Sequence, residues 1–238
     1  MDVTAGTLLD GRLRYAQPRT GFRSGIEPVL LAAFVPARPG EHVLEAGSGA
    51  GAALLCLAAR VPRLSGTGLE RDPALAALAA GNAAANGFDG LRFLAGDILA
   101  ADAAGPFDHC CANPPYHPAG GTASPLAARE GAKRAGAGRL GAWTGALARR
   151  LRPGGSLSLI ATAGGVPEIL AAMAAGGIGG AVLLPLWPMA ERAAKLVLLR
   201  GRKGGRGPFQ LLPGLTLHHP DGAFTAAAED VLRRGMPL

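Results

Sequence analysis

The chain has 238 residues, of which 49% are hydrophobic, and it carries a formal net charge of +7 at pH 7. This hydrophobic content supports a full core and excludes an intrinsically disordered chain. No uninterrupted apolar run approaches the roughly 18 residues that span a bilayer, and the first residues do not resemble a secretory signal. We therefore expect one large cytoplasmic α/β domain, and the positive charge favours a polyanionic partner such as nucleic acid.

Cysteines and histidines give no sign of a metal site. Cys56, Cys110 and Cys111 show no CxxC spacing and lie in apolar runs, so we expect small buried side chains in a reducing compartment. None of the five histidines is at ligand spacing from another histidine or from a cysteine. The sequence predicts no metal.

Strand-like and helix-like segments alternate along the middle of the chain. Strands are predicted at 41–47, 65–70, 91–97, 107–113 and 156–162. Helices are predicted at 51–61, 73–87, 137–152 and 166–175, the second one beginning at Pro73 and closing on Gly87. Two later apolar runs, 181–188 and 193–201, are close enough to pair antiparallel. This alternation predicts a doubly wound, mostly parallel sheet whose strand-to-helix loops share one edge, where ligands bind.

The chain is expected to form a single domain over 1–238 with three parts. Residues 1–40 would form a cap over cofactor and substrate, 41–201 the Rossmann-like core, and 202–238 a C-terminal extension. The segment 200–207, RGRKGGRG, is the only low-complexity stretch and is typical of a loop.

A glycine-rich turn follows the first core strand. Gly47, Gly49 and Gly51 of LEAGSGAG allow a tight turn and a close approach of a ligand to the main chain. The pattern alone is weak, since it also satisfies the relaxed GxGxxG/A signature of nicotinamide-binding folds.

Acidic residues beside the turn indicate which ligand it binds. Glu70 ends the second strand, where a carboxylate accepts both hydroxyls of a ribose. Glu45 directly precedes the glycines, where a negative charge suits a cationic ligand better than a pyrophosphate. S-adenosylmethionine carries an ammonium and a sulfonium group, so it is favoured over NAD. Asp97, at the end of the third strand, would hold the adenine amino group.

The tetrapeptide Asn113-Pro114-Pro115-Tyr116 follows the fourth strand at the same edge. The two prolines make the segment rigid and remove N–H donors, so it presents acceptors. The Asn113 side-chain oxygen and the Pro114 carbonyl together suit the two hydrogens of a planar amino group. They would stabilise the positive charge that develops on the nitrogen during methylation, while Tyr116 stacks on the base.

With LEAGSGAG, GLERD, AGD and NPPY in this order, the chain resembles class I S-adenosylmethionine-dependent methyltransferases of the NPPY type. QPRTGFR (17–23), EPVLLAA (27–33) and the ending 217–233 make it similar, more narrowly, to the bacterial valine-tRNA adenine-N6 methyltransferase family. The resemblance implies a seven-stranded Rossmann-like sheet with a C-terminal antiparallel hairpin, and methylation of adenine N6 in RNA, most of all tRNA. It places these residues at the cofactor: Gln17, Gly21, Phe22, Arg23, Glu45, Gly47, Gly49, Gly51, Glu70, Asp97, Ile98 and Asn113.

Three basic groups could face this same edge of the sheet and hold RNA. They are Arg12, Arg14, Arg19 and Arg23; Arg129, Lys133, Arg134 and Arg139; and Arg200, Arg202, Lys203 and Arg206. The first two adjoin segments expected to line the pocket, and the third could extend the track; the alternative is that many of these are solvated surface residues. With Tyr116, the residues assigned to substrate binding are Arg129, Lys133 and Arg134.

Three alternatives remain open at this point. The first is a methyltransferase that acts on the N5 atom of a glutamine in a translation release factor and uses the same NPPY segment to bind a side-chain amide. Such enzymes normally carry an N-terminal helical domain, whereas only about 40 residues precede the first core strand here. A DNA adenine methyltransferase would need a target-recognition domain. A non-catalytic RNA-binding module would not need Glu70 and NPPY.

Overall fold

The computed structural model describes residues 1–20, 23–100, 105–114 and 138–238. The chain opens with an antiparallel hairpin of β1 (Val3–Leu8) and β2 (Leu13–Pro18), which forms its own two-stranded sheet. Helix α1 (Glu27–Phe34) follows and is almost entirely buried. These three elements make up the N-terminal cap, for which no element boundaries were predicted.

Nine strands of the described residues form the central sheet. Its strands are β3 (His42–Ala46), β4 (Ser65–Glu70), β5 (Leu91–Ala95), β6 (Phe107–Ala112), β7 (Leu151–Thr162), β8 (Ile178–Met189), β9 (Leu196–Lys203), β10 (Gln210–Leu211) and β11 (Leu215–His218). The first seven lie in the order β8-β9-β7-β6-β3-β4-β5, and only β9 runs antiparallel to its neighbours. The predicted seven-stranded, mostly parallel sheet with its antiparallel β8–β9 hairpin is therefore confirmed. Two short strands, β10 and β11, extend it by pairing with β8.

Five further α-helices are described. They are α2 (Ala52–Arg60), α3 (Pro73–Ala85), α4 (Arg139–Arg149), α5 (Val166–Ala175) and α6 (Ala226–Arg234). Helix α3 begins as the sequence predicts, because Asp72 caps it by accepting a hydrogen bond from the Ala74 N–H at 2.8 Å and Pro73 occupies its first position. After its end, Gly87 adopts a φ of +70°, which favours glycine.

Within the described ranges, apolar side chains pack into two clusters, and one of them joins distant parts of the chain. It combines Leu13 and Tyr15 of the cap with α1, α2, and Val231 of the C-terminal helix. The other cluster lies under α4 and α5. Cys56, Cys110 and Cys111 are buried and free, as predicted. The C-terminal extension thus packs against the N-terminal cap as well as against the sheet.

Strand β3 lies between β4 and β6, so the order of the sheet reverses there. In an open parallel sheet this reversal leaves a crevice at the carboxyl ends of the strands. The glycine turn after β3, Glu70 at the end of β4 and Asn113 after β6 all lie at this edge, which we call the catalytic edge.

The basic segment after β9 lies at the other edge of the sheet. Because β9 is antiparallel to β7, Leu196 pairs with Thr162 at the catalytic edge, whereas Arg202 pairs with Ser156 toward the opposite one. Lys203 donates to the Gly176 carbonyl oxygen at 2.6 Å, below the start of β8. The possibility that Arg200, Arg202, Lys203 and Arg206 extend a basic track at the catalytic edge is therefore contradicted by the direction of β9.

The described ranges contain no helix that is long and apolar enough to cross a membrane. They also contain no cluster of three or more His, Cys, Asp or Glu residues that could hold a metal ion.

Candidate active site

A cleft of about 500 Å³, including its open mouth, lies between the cap and the glycine turn. It is lined by Tyr15, Gln17, Pro18, Ser24, Pro28, Glu45, Gly47, Ser48, Gly49, Ala50, Ala52, Leu75 and Asn113. One wall comes from β2 and the start of α1, the other from the glycine turn. Five residues assigned to cofactor binding from the sequence meet here: Gln17, Glu45, Gly47, Gly49 and Asn113.

The glycine turn needs its glycines. Gly47, Gly49 and Gly51 have φ values of +67°, +54° and +90°, a region that other residues rarely adopt. At Gly47 a Cβ atom would lie 2.9 Å from the indole ring of Trp143. The turn is closed by the Gly51 N–H, which donates to the Ser48 carbonyl oxygen at 2.8 Å. Gly47, Ser48, Gly49 and Ala50 of this turn line the cleft.

Glu70 braces this turn from the end of β4. Its Oε2 accepts the Gly49 N–H at 2.9 Å, and its Oε1 accepts the Asp72 N–H at 3.0 Å. A carboxylate oxygen can accept two hydrogen bonds, and each oxygen of Glu70 accepts one from these main-chain groups. One acceptor site on each oxygen therefore remains for a ribose hydroxyl. Glu70 does not itself line the cleft described above.

Glu45 is the most unusual titratable group of the cleft. Its side chain is only 3% exposed, and burial raises its pKa to about 8 although it receives a hydrogen bond from the Leu54 N–H. Its Oε2 has no hydrogen-bond partner among the described residues, and the same holds for the Ser48 hydroxyl oxygen. A buried acceptor without a donor is costly. A ligand that brings cationic N–H groups would satisfy both atoms, so the residues present fit an amino-acid ammonium such as that of S-adenosylmethionine.

Asp97 and Ile98 lie further along the same edge, after β5. Asp97 is partly exposed, and its Oδ1 accepts the Leu99 N–H at 2.9 Å. Ile98 is 2% exposed and packs into the apolar cluster under α4 and α5. Neither lines the cleft, so their contact with cofactor stays a prediction.

Two cap residues hold the chain that leads into α1. Gln17 accepts the Ser24 N–H on its Oε1 at 3.1 Å. Arg23 is exposed and donates to Thr4 Oγ1 at 3.1 Å and to the Pro18 carbonyl oxygen at 3.3 Å. Gln17 lines the cleft while Arg23 fastens the hairpin from outside. A direct contact between Arg23 and cofactor stays a prediction.

Asn113 and Pro114 follow β6 directly. Asn113 is partly exposed and lines the cleft, and Pro114 is buried. Because β6 pairs with β3, Asn113 enters the crevice from the side opposite β4. The other predicted site residues lie outside the described residues: Gly21, Phe22, Pro115, Tyr116, Arg129, Lys133 and Arg134.

Sequence reasoning missed Tyr15 and Asn82. Tyr15 is 3% exposed, lines the cleft and shares a 2.7 Å hydrogen bond with the Ser24 hydroxyl; burial raises its pKa to about 12. Asn82 is 4% exposed inside the alanine-rich helix α3 and reaches the glycine turn. A lone amide in an apolar helix was the available signal for Asn82.

Solved structures resemble the whole architecture. A predicted O-methyltransferase from Agrobacterium tumefaciens superposes with a TM-score of 0.71 at 26% identity, covering 89% of this chain and 97% of that one. The Thermus thermophilus 16S rRNA N2 G1207 methyltransferase, solved with AdoMet and guanosine, has a TM-score of 0.57 at 21% identity, covering 85% and 50%. The second similarity shows the fold alone.

Curated relatives match shorter stretches. A release factor glutamine methyltransferase from Deinococcus radiodurans is 40% identical over 77 residues, which is 32% of this chain and 27% of the relative. A tRNA1(Val) (adenine(37)-N6)-methyltransferase from Porphyromonas gingivalis is 36% identical over 115 residues, 43% of this chain and 45% of the relative. The matches thus span less than half the length of these relatives.

A family match covers the region that carries the site. The family described as "Methyltransferase small domain" matches residues 27–172, which include α1, the glycine turn, Glu70 and Asn113. This range is more than half of the chain. The chain belongs to the methyltransferase small domain family.

Proposed function

We propose that the protein is an S-adenosylmethionine-dependent methyltransferase that modifies the N6 amino group of adenine in RNA, with tRNA as the favoured substrate. The observation that carries the proposal is the meeting of Asn113 with Glu45 and the glycine turn in one cleft. An acceptor for an amino group and a site for a cationic cofactor then lie side by side.

The cofactor supplies a methyl group activated by its positively charged sulfur. On the protein side, Glu45 and the Ser48 hydroxyl have the free acceptor sites that its ammonium group needs. Glu70 retains acceptor capacity for ribose hydroxyls while it braces Gly49. Its placement one strand away from Glu45 suits an extended ligand that crosses the crevice.

Asn113 and Pro114 would act on the substrate. The lone pair of an adenine amino nitrogen is conjugated with its ring, so it is a poor nucleophile. The Asn113 side-chain oxygen and the Pro114 carbonyl would accept its two hydrogens, favour a pyramidal nitrogen and stabilise the positive charge that develops on it. The methylated nitrogen is acidic enough to lose its proton to solvent, so no dedicated base is needed.

RNA is favoured as substrate by charge and by similarity. The net charge of +7 suits a polyanion. The tRNA adenine-N6 methyltransferase from P. gingivalis matches a longer stretch of this chain than the release factor enzyme from D. radiodurans does, 115 against 77 residues. The terminal segments that resemble the tRNA enzymes support the same assignment.

A second candidate is methylation of a glutamine side chain in a release factor. The 40% identity to the D. radiodurans enzyme favours it. The chemistry at Asn113 and Pro114 would be the same, since a glutamine amide also presents two hydrogens on a conjugated nitrogen. The two candidates differ in the macromolecule that enters the cleft.

One assay separates the candidates. The protein is incubated with methyl-labelled cofactor and either unmodified total tRNA or release factor, and the products are digested and separated. The proposal expects label in N6-methyladenosine from tRNA, and none when Asn113→Ala replaces the wild type. Label in N5-methylglutamine alone would assign the second candidate instead.

A further inference from the structure

Asn82 uses its whole carboxamide inside the protein. Its Oδ1 accepts the Ala16 N–H at 2.9 Å, and its Nδ2 donates to the Ala16 carbonyl oxygen at 2.8 Å. The same Nδ2 donates to the Ala50 carbonyl oxygen at 2.9 Å, in a buried contact. One side chain on α3 thus joins two main-chain segments that are far apart in sequence.

These two segments are the two walls of the cleft. Ala16 lies in β2 between Tyr15 and Gln17, which both line the cleft, and Ala50 belongs to the glycine turn and lines it too. Asn82 joins the walls from behind and does not line the cleft itself.

Few other side chains can make these three hydrogen bonds. The side chain must accept from one N–H and donate to two carbonyl oxygens with a short, planar group. Only asparagine and glutamine carry such a group. Aspartate keeps the acceptor but loses both donors. Alanine keeps neither and leaves the Ala16 and Ala50 groups without these partners.

We propose that Asn82 is a positioning residue that sets the separation of the cap from the glycine turn and thereby the affinity for cofactor. The inference rests on the proposed function for the identity of the ligand. Asn82 acts through its hydrogen bonds to Ala16 and Ala50, just as Glu70 acts through its hydrogen bond to Gly49 from the other side of the turn.

Asn86 provides a matched control one helical turn later. Its Oδ1 accepts the Arg14 N–H at 2.9 Å and its Nδ2 donates to the Arg14 carbonyl oxygen at 2.8 Å. The third contact of Asn86 runs to the Asn82 carbonyl oxygen, at 2.7 Å, and not to the glycine turn. Asn86 therefore anchors the same strand without joining it to the opposite wall.

The test compares Asn82→Ala, Asn82→Asp and Asn86→Ala in the full chain. Calorimetry measures the affinity for S-adenosylhomocysteine, and thermal denaturation measures stability. We expect both Asn82 variants to bind at least roughly tenfold more weakly, because a loosened site loses preorganised contacts. Asn86→Ala should bind within about twofold of wild type even where its melting temperature falls comparably. Equal losses in Asn82 and Asn86 variants, or unchanged affinity in the Asn82 variants, would overturn the proposal.

Hydrogen exchange on the free protein makes the test independent of the cofactor. In Asn82→Asp and Asn82→Ala the amides of Gly49 and Gly51 should exchange faster than in wild type, and in Asn86→Ala they should not. Asn82→Asp retains the Ala16 N–H contact and serves if the alanine variant fails to fold. A wild-type protein that binds no S-adenosylhomocysteine would refute the proposed function, whereas the exchange pattern still decides whether Asn82 holds the walls together. Unchanged exchange at both glycines would refute the inference about Asn82.

Discussion

Arg200 binds Phe34 twice: its Nη1 donates to the Phe34 carbonyl oxygen at 2.8 Å, and its guanidinium lies 4.4 Å above the Phe34 ring. Arg60, the last residue of α2, donates from its Nη2 to the carbonyl oxygens of Ala32 and Val35 at 3.0 and 2.7 Å. These carbonyls end helix α1 and lack partners within it. Two arginines therefore cap the helix whose first turn, through Pro28, lines the cleft.

Replacing Arg200 should destabilise the fold without weakening RNA binding. Arg200→Ala removes a charge-assisted hydrogen bond and a cation–π contact, which together contribute on the order of 2–3 kcal/mol. Thermal denaturation should show a clear loss of stability, while Arg206→Ala, an exposed residue of the same basic segment, should melt like wild type. Weaker RNA binding by Arg200→Ala at a temperature where it is fully folded would contradict a structural role.

The predictable part of the fold is the part built from local signals. Strand β4 has the predicted bounds, 65–70, and α3 begins at Pro73 because Asp72 and Pro73 form a standard start signal. Hydrophobic runs separated by glycine turns were sufficient to locate the core strands along the chain, although not to order them in the sheet. The β1–β2 hairpin was missed, since most of β1 faces solvent and shows no apolar period.

The site was predictable where a motif carries it. The glycine turn, Glu45 and Asn113 meet as expected, because strand ends of a parallel sheet share an edge. Asn82 stands out in the sequence as an amide in an alanine-rich helix, but its partners were not predictable, since one of them, Ala16, is 66 residues away in sequence. The basic segment after β9 was misplaced for a similar reason: the edge it reaches depends on strand direction and not on composition.

Glu70→Ala should weaken cofactor binding by roughly 10- to 100-fold, because hydrogen bonds to a charged group are each worth about 1.5–3 kcal/mol. The variant also frees the Gly49 N–H, which Glu70 now accepts. Calorimetry with S-adenosylhomocysteine measures the effect, and NADH should bind neither protein appreciably. Asp72→Ala is the control, since it removes the cap of α3 and leaves Glu70 in place. Tighter binding of NADH than of the expected cofactor would assign the glycine turn to a nicotinamide site.

Glu45 should make cofactor binding depend on pH. Burial raises its pKa from 4.5 to about 8, so the free protein holds a proton there at pH 7. A cationic ligand favours the carboxylate, and binding should therefore release a proton and strengthen as pH rises from 6 to about 8. Calorimetry in buffers of different ionisation enthalpy measures that proton. Glu45→Gln should bind with an affinity that hardly changes over this range, and a wild-type affinity that is flat with pH would contradict the assignment.

The same group should affect the stability of the free protein. The folded state holds a proton that the unfolded state releases between pH 4.5 and about 8, so this carboxyl destabilises the fold progressively as pH rises through that window. Glu45→Gln should remove this decline, which chemical denaturation at a series of pH values will show. A decline that persists in the glutamine variant would have to come from another group.

Asn113→Ala should reduce turnover by two to three decades, since one preorganised acceptor in a water-excluded site is worth about 3–4 kcal/mol at the transition state. Cofactor affinity should fall only modestly, because Asn113 is one of thirteen residues that line the cleft. Single-turnover rates and calorimetry on the same preparation separate the two effects. Asn113→Asp keeps side-chain oxygens at the same position and should retain more activity than the alanine variant. A rate within about fivefold of wild type for Asn113→Ala would mean that the residue is structural.

RNA binding should depend on the basic residues after the NPPY segment and not on those after β9. Each phosphate that the protein neutralises on a single strand adds about 0.7 to the slope of log affinity against log salt. Replacing both Lys133 and Arg134 with alanine should therefore flatten this slope by up to about 1.4 and raise KM for tRNA, with cofactor affinity unchanged. Replacing Arg202 and Arg206 removes the same charge at the opposite edge of the sheet, where β9 ends, and should leave the slope unchanged. Equal flattening in both double variants would indicate a diffuse effect of net charge, and an RNA affinity independent of salt would favour the release factor as substrate.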